Sequence, residues 1–308
     1  MGETVLVTGG TGYVAGWCVV ALREHGYDVR ATVRGTPKDG QVQADLLSDD
    51  GWDAAMAGVD YVLHVASPLG GRADLITPAR EGTLRVLRAA VRHGVRRVVM
   101  TSAANAASPT SYKEDSVTDE TLWTVDSPKL PQYRRSKTLA ELAAWEYMAG
   151  RETEFATVLP GAVLGPVLDA HTLGSTQIVA RMLRGDMPGA PRIGLEVVDV
   201  RDLADLHIRA MREPAASGER FLGTGEFIWM RDIARILGVS TRQLPDLVVR
   251  VASIWDKPLR DITISLGRRN RHTTAKAERV LGWASRPVAE TVADCARSLR
   301  EHGVVQSV

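Results

Sequence analysis

Only two cysteines, Cys18 and Cys295, occur in 308 residues. So few thiols exclude a disulfide framework and suit a reducing compartment. An excess of charge of either sign is also missing: 38 Lys and Arg stand against 37 Asp and Glu, a formal net charge of +1. That balance gives no electrostatic reason to expect nucleic acid or an anionic membrane as a partner. No apolar run is long enough to span a bilayer, and the first residues begin a strand rather than a signal peptide. The expectation is a cytoplasmic protein. His, Cys and Asp nowhere recur at metal-ligand spacing, so no metal is expected. There is no internal repeat and no low-complexity segment. What remains is an ordinary globular composition, 44% hydrophobic, long enough for one large α/β unit and a smaller lobe.

The stretch Thr4-Val5-Leu6-Val7-Thr8-Gly9-Gly10-Thr11-Gly12-Tyr13-Val14-Ala15-Gly16 organises the rest. A short valine-rich run reads as a buried strand, glycines end it, and Val14, Cys18, Ala21 and Leu22 follow at helical spacing. Strand, glycine turn and helix together hold a dinucleotide pyrophosphate, because glycine lets the backbone approach the phosphates and the helix start offers free N–H groups. Residues Thr8, Gly9, Thr11, Gly12, Tyr13 and Val14 are therefore expected to bind cofactor. His25-Gly26 stops the helix, and Tyr27 to Val33 reads as a second parallel strand, completing a βαβ unit. An acidic residue near the end of that strand would take a ribose 2′-hydroxyl, whereas an arginine accommodates a 2′-phosphate. Here the strand ends Thr32-Val33-Arg34 with Lys38 close behind, which predicts NADP(H).

Further strands are expected at Gln41–Leu46, with Asp45 and Leu46 bordering an adenine, at Val59–Ala66, at Val95–Ser102, at Glu154–Leu159, at Leu195–Val200 and at Glu219–Leu222. Helices are expected at Ile76–Val91, Gln132–Ala149, Thr176–Arg184, Arg201–Met211 and Val288–Arg300. Alternation at this spacing means a doubly wound parallel sheet, a Rossmann-type α/β fold with a smaller C-terminal substrate-binding lobe. The expected division is 1–162 for the nucleotide domain, with 195–222 returning to it, and 163–194 plus 223–308 for the lobe. Such sheets bind ligands beyond the carboxyl ends of their strands. Thr8-Gly9, Ser67 and Thr101-Ser102-Ala103 should meet there. The polar segment Ala106–Pro131 reads as a long functional loop. His64 and His207 are expected to pack in the core.

Tyr133 and Lys137 lie four apart at the start of a helix, so both side chains face one site. A tyrosine is a poor acid at neutral pH. A neighbouring ammonium favours the phenolate, lowers the pKa and makes the hydroxyl a usable proton donor or acceptor.

With these residues in hand, the sequence resembles the extended short-chain dehydrogenase/reductases, close to the dihydroflavonol reductase and bacterial aldehyde/ketone reductase branch. The likeness covers nearly the whole chain. It rests on Thr8 to Ala15, Val29 to Arg34, His64-Val65-Ala66-Ser67-Pro68, Tyr133 with Lys137, Pro160-Gly161 with Gly165-Pro166, and Lys276-Ala277 with Leu281-Gly282-Trp283. The resemblance implies that Tyr133 protonates a carbonyl oxygen as hydride arrives. Lys137 would bond the nicotinamide ribose and lower the Tyr133 pKa. Arg34 and Lys38 would bind the 2′-phosphate. The backbone from Pro160 and Gly161 to Val163 would contact the carboxamide, and Val65, Ala66, Ser67 and Thr101 complete the implied cofactor set. A small-molecule carbonyl substrate and a monomer or homodimer follow from the same likeness.

The chain departs from the branch at three places. Ala15 replaces the third glycine, and Thr273 replaces the usual acid before Lys276. Where the branch reads Thr-Ser-Ser with a catalytic second serine, this chain reads Thr101-Ser102-Ala103. Side chains alternate along a strand, so Ser102 should face away from a site that position 103 faces. Either Asn105, an amide donor two residues on, or Ser102, brought round by a kink, supplies the missing hydrogen bond, or the carbonyl chemistry is slow or altered. Three functions stay open: an NADPH-dependent carbonyl reductase, an epimerase or dehydratase that uses nicotinamide transiently, and a non-catalytic NADP-binding protein.

Overall fold

The computed structural model describes residues 2–68, 74–112 and 115–306. Two residues of the polar loop, 113 and 114, lie outside the described residues. The strands are β1 (Thr4–Val7), β2 (Asp28–Val33), β3 (Gln41–Gln43), β4 (Tyr61–His64), β5 (Arg97–Thr101), β6 (Asp115–Thr118), β7 (Glu154–Pro160), β8 (Ala162–Leu164), β9 (Gly194–Asp199), β10 (Arg220–Gly223), β11 (Phe227–Trp229) and β12 (Arg269–His272). The helices are α1 (Tyr13–Glu24), α2 (Trp52–Met56), α3 (Ile76–Arg92), α4 (Gln132–Met148), α5 (Gln177–Arg184), α6 (Val200–Arg212), α7 (Met230–Ile236), α8 (Asp246–Ala252), α9 (Lys257–Ile262), α10 (Ala275–Leu281) and α11 (Val288–Glu301).

Seven strands form one parallel sheet in the order β10-β7-β5-β4-β1-β2-β3. Alternation sends Val5 and Val7 to one face and Leu6 to the other. On the first face they join Cys18, Leu22, Leu203, Leu206, Cys295 and Leu299. On the second, Leu6, Val62 and Val98 meet Trp52, Leu87, Ala140 and Ala144. Helices therefore cover both faces, as a parallel sheet requires. The strand order turns back between β1 and β4, and a ligand crevice opens outside the carboxyl ends at such a point.

Two features of α4 matter for the site. Pro131 stands at its N-cap, and its buried face carries Lys137 and Glu141 among Ala140, Ala144 and Met148. Ionisable groups that deep require partners.

The C-terminal part differs from the sequence expectation in detail. Residues 194–199 form β9, which pairs with β8 and β11 in a separate small sheet. The chain rejoins the large sheet only at α6 and β10. The third strand ends at Gln43 rather than Leu46, because Asp45 Oδ1 accepts the Leu47 N–H at 3.0 Å and turns the chain. Inside the polar loop, β6 pairs in parallel with β12. Neither strand, Asp-Ser-Val-Thr or Arg-Asn-Arg-His, has an apolar alternation by which it could be read along the chain. The hydrophobic cluster under β1 continues through Val163, Ile193, Ile228 and Leu281, so the lobe shares its core with the sheet.

Candidate active site

The glycine turn is built from the sheet outward. Thr8, fully buried, accepts the Ala66 N–H at 3.0 Å through Oγ1 and lies 2.9 Å from His64 Nδ1, fastening the end of β1 to that of β4. Burial pushes the His64 pKa down to about 3, with the Lys137 charge adding to it, so the ring is neutral. Gly9 has φ of +72°, and its N–H donates to Thr32 Oγ1 at 2.9 Å. Gly10 donates to the Thr32 carbonyl at 2.8 Å, and a Cβ there would lie 2.6 Å from Ala31 Cβ. Only glycine fits. Gly12 then caps α1 with no side chain bonded to the first turn. The exposed Thr11 and Gly12 thus border a set of N–H groups aimed outward, which fits an anionic group. Val14 is half-buried. The Tyr13 side chain is buried, and its hydroxyl has no hydrogen-bond partner among the described residues, so it is the Tyr13 backbone that borders the turn.

Arg34 and Lys38 are exposed just past β2, and neither side chain bonds a carboxylate among the described residues. Gln43 Nε2 donates to the Arg34 carbonyl at 3.1 Å, and Gln41 Oε1 accepts the Lys38 N–H at 2.9 Å, which fixes the backbone of this cationic rim. Asp45 and Leu46 are half-buried beyond β3, and Arg85 holds the Leu46 carbonyl at 2.8 Å. Val65, Ala66 and Ser67 continue β4 and are half-buried. Pro160 ends β7, the Gly161 N–H donates to the Gly223 carbonyl at 3.3 Å, and Val163 is buried in β8. Of the residues expected at the cofactor, Thr8, Gly9, Arg34, Val65 to Ser67, Thr101, Pro160 and Gly161 lie at or just beyond strand ends, whereas Tyr13 and Val14 open α1 and Tyr133 and Lys137 lie on α4.

Tyr133 and Lys137 occupy the first turns of α4. Lys137 Nζ is buried and donates to the Thr101 carbonyl at 3.0 Å. Desolvation pulls its pKa from 10.5 down to about 8, and the Glu141 carboxylate opposes that drop. Thr101 Oγ1 lies 2.7 Å from His207 Nε2, and His207 Nδ1 lies 2.7 Å from the Leu203 carbonyl. A carbonyl only accepts, so Nδ1 carries the proton and Thr101 donates to Nε2. Burial holds the His207 pKa at about 4, so this ring too is neutral. Both histidines are structural.

Tyr133 remains 39% exposed at the start of the helix. The protein around it desolvates the phenol and raises its pKa. That reverses the sequence-based expectation, in which Lys137 lowers it. The cause is the removal of the phenolate from water. A raised pKa keeps the hydroxyl protonated at neutral pH, which is the form that can donate.

The two candidates for the missing serine part company. Ser102 is buried and donates to Glu141 Oε2 at 2.6 Å. Its one hydroxyl proton is committed to that carboxylate and is not available to a substrate oxygen, a correction to its candidacy as a catalytic group. Ala103 is buried as well. Asn105 sits in the short 3-10 turn Ala104–Ala107, half-buried. Its Oδ1 accepts from the Tyr112 hydroxyl at 3.4 Å, which leaves the NH2 as its free donor. Arg134, unmarked by any sequence signal except its place beside Tyr133, holds this turn. It is 2% exposed and donates to the carbonyls of Asn105, Ser108 and Pro109 at 3.1, 2.6 and 2.8 Å. Glu141 also escaped the sequence reading, although it continues the spacing of Tyr133 and Lys137 by one more turn.

Comparison with known proteins agrees with this architecture. Residues 5–222 match the model of the NAD dependent epimerase/dehydratase family. The chain is 36% identical over 256 residues to cinnamoyl-CoA reductase 1 of Oryza sativa subsp. japonica, covering 76% of this chain and 75% of that protein. It is 31% identical over 264 residues to dihydroflavonol 4-reductase of Dianthus caryophyllus, covering 77% and 73%. The crystal structure of gox2253 superposes with a TM-score of 0.85 at 25% identity, over 99% of this chain and 100% of that one. That of Gre2 from Candida albicans in complex with NADPH superposes at 0.81 and 23% identity, over 97% and 99%, a likeness of fold. With its glycine turn, its parallel sheet and these relatives, the chain belongs to the NAD dependent epimerase/dehydratase family of extended short-chain dehydrogenase/reductases, on the NAD(P)-dependent reductase side of that family.

Proposed function

We propose that the protein reduces an aldehyde or ketone to the alcohol with NADPH, with Tyr133 as the proton donor. The observation that carries this reading is a protonated, accessible Tyr133 one helical turn from a buried Lys137 whose ammonium is held on the Thr101 carbonyl. NADPH, when bound, supplies the hydride. The N–H groups around Gly12 to Val14 hold its pyrophosphate, and Arg34 with Lys38 holds the 2′-phosphate. Lys137 and Thr101 face its ribose, and the backbone from Pro160 to Val163 faces its carboxamide. Tyr133 Oη releases its proton to the carbonyl oxygen as charge develops there, and the Asn105 NH2 donates a second hydrogen bond to the same oxygen. The names of the two relatives, a cinnamoyl-CoA reductase and a dihydroflavonol 4-reductase, support reduction as the direction of the reaction.

The test is Tyr133→Phe with NADPH absorbance followed over a panel of aldehydes and ketones. Loss of general acid catalysis lowers kcat by about 10²–10⁴, while NADPH binding is retained. Full turnover in the variant would refute the role of Tyr133. Product formation without stoichiometric loss of NADPH in the wild type would instead favour an epimerase or dehydratase.

A further inference from the structure

Lys137 is buried in the structure, and its partners extend well beyond Thr101. One turn along α4, Glu141 is fully buried, and its carboxylate is bonded from four sides. Ser102 and Thr157 donate hydroxyls at 2.6 and 2.8 Å, and Arg220 donates from Nε at 2.9 Å and from its second amino group at 3.2 Å. The Trp145 indole N–H adds a contact at 3.4 Å. Arg220 is anchored in turn. It donates to the carbonyls of Glu120 and Leu122 at 2.5 and 3.0 Å and lies 3.6 Å from the centre of the Trp123 ring. Ser102 directly follows Thr101, whose carbonyl holds Lys137. The carboxylate therefore reaches the lysine by two routes, through space along one helix face and through the backbone of β5.

We propose that Glu141 is the positioning residue of Lys137: it is the counter-charge that keeps this buried ammonium protonated, and its bond to Ser102 fixes the carbonyl on which the ammonium rests. The remaining titratable groups around Lys137 do not substitute for it. His64, the last residue of β4, and His207, on α6, are neutral because both are buried. Tyr133, on the same helix, is protonated. Arg220, on β10, is positive and bonded to Glu141 itself. Without Glu141, no negative charge among these groups faces the ammonium. The chemistry also accounts for the Ser102 hydroxyl, which the reduction does not use.

The inference rests on Lys137 serving the site, but its test does not require turnover. The chain has six lysines, Lys38, Lys113, Lys129, Lys137, Lys257 and Lys276. Labelling lysine at Cε with carbon-13 and titrating the free protein by NMR resolves each one, with Lys137 assigned by its loss in Lys137→Arg. The wild-type midpoint is expected near 8. In Glu141→Gln it falls by about one pH unit or more. Because that change leaves Arg220 buried without its partner, Glu141→Met combined with Arg220→Met is the second variant, removing both charges together; the midpoint falls there as well. A midpoint unmoved in the paired variant overturns the proposal. Ser102→Ala keeps the ion pair and cuts the tether, so a smaller fall is expected, and no fall removes the tether from the proposal. In kinetics the alkaline limb of the pH profile follows the same midpoints. A protein that titrates as expected yet reduces no carbonyl would refute the proposed function and leave this inference standing.

Discussion

Replacing Lys137 with methionine should make the protein more stable and inactive at once. The native fold carries the ammonium in a site where its pKa drops from 10.5 to about 8. At about 1.36 kcal/mol per pH unit, that drop is about 3 kcal/mol of native-state penalty at pH 7. Methionine has a similar length and no charge to desolvate, so it relieves the penalty. It also gives up the bond to the Thr101 carbonyl, a loss of about 1 kcal/mol. The balance is a gain of about 2 kcal/mol, which raises Tm by roughly 3 °C in a chain of this size. The pH dependence supplies the sign. Between about pH 8 and 10.5 the unfolded chain holds the lysine proton more tightly than the folded one, so wild-type stability rises with pH across that window. Lys137→Met should lack that rise. Urea unfolding of both proteins at pH 7 and at pH 9.5, read as the difference between them, measures both effects. A variant less stable than wild type at pH 7, or one with the same slope, would show that the ammonium is a net stabiliser and that burial does not govern it.

Other outcomes follow from the cofactor side and from the strand end. Arg34→Ala removes an exposed guanidinium that no carboxylate among the described residues engages, so KM for NADPH should rise about 10- to 100-fold while KM for NADH and Tm stay nearly constant; equal effects on both cofactors would remove Arg34 from the phosphate site. Gly10→Ala places a Cβ 2.6 Å from that of Ala31, and the strain should cost about 1–3 kcal/mol and weaken cofactor binding. Gly35→Ala, where nothing lies within 4 Å, is the control and should do neither. Ala103→Ser restores a hydroxyl at the position its relatives are expected to use, and kcat should rise by up to about 10²; an unchanged kcat would mean that Asn105 already supplies the donor.

Much of the site could be read along the chain because its signals are local. The glycine turn announces itself in Thr8 to Ala15, since a tight bend and close backbone approach need glycine at those steps. The spacing of Tyr133 and Lys137 follows from helical geometry alone. The expectation that Ser102 faces away from the side of position 103 follows from strand alternation. What escaped was held by distant partners. β6 and β12 pair at residues such as Ser116 and Asn270, whose side chains bond at 2.8 Å across 154 positions of sequence, and neither strand carries a period of its own. Arg134 and Arg220 looked like two more surface arginines among many. Each is buried because several carbonyls converge on it, and convergence cannot be read from composition.

The sequence by itself determined the parallel sheet, the glycine turn after β1 and the shared helix face of Tyr133 and Lys137, because strand burial, glycine conformation and helix spacing act over a few residues. Only the tertiary structure decided the protonation of that pair. Desolvation raises Tyr133 and lowers Lys137, and Glu141, Ser102 and Arg220 meet around them from three different elements. Electrostatic energies depend on what surrounds a charge in space, and that surrounding exists only once the chain has folded.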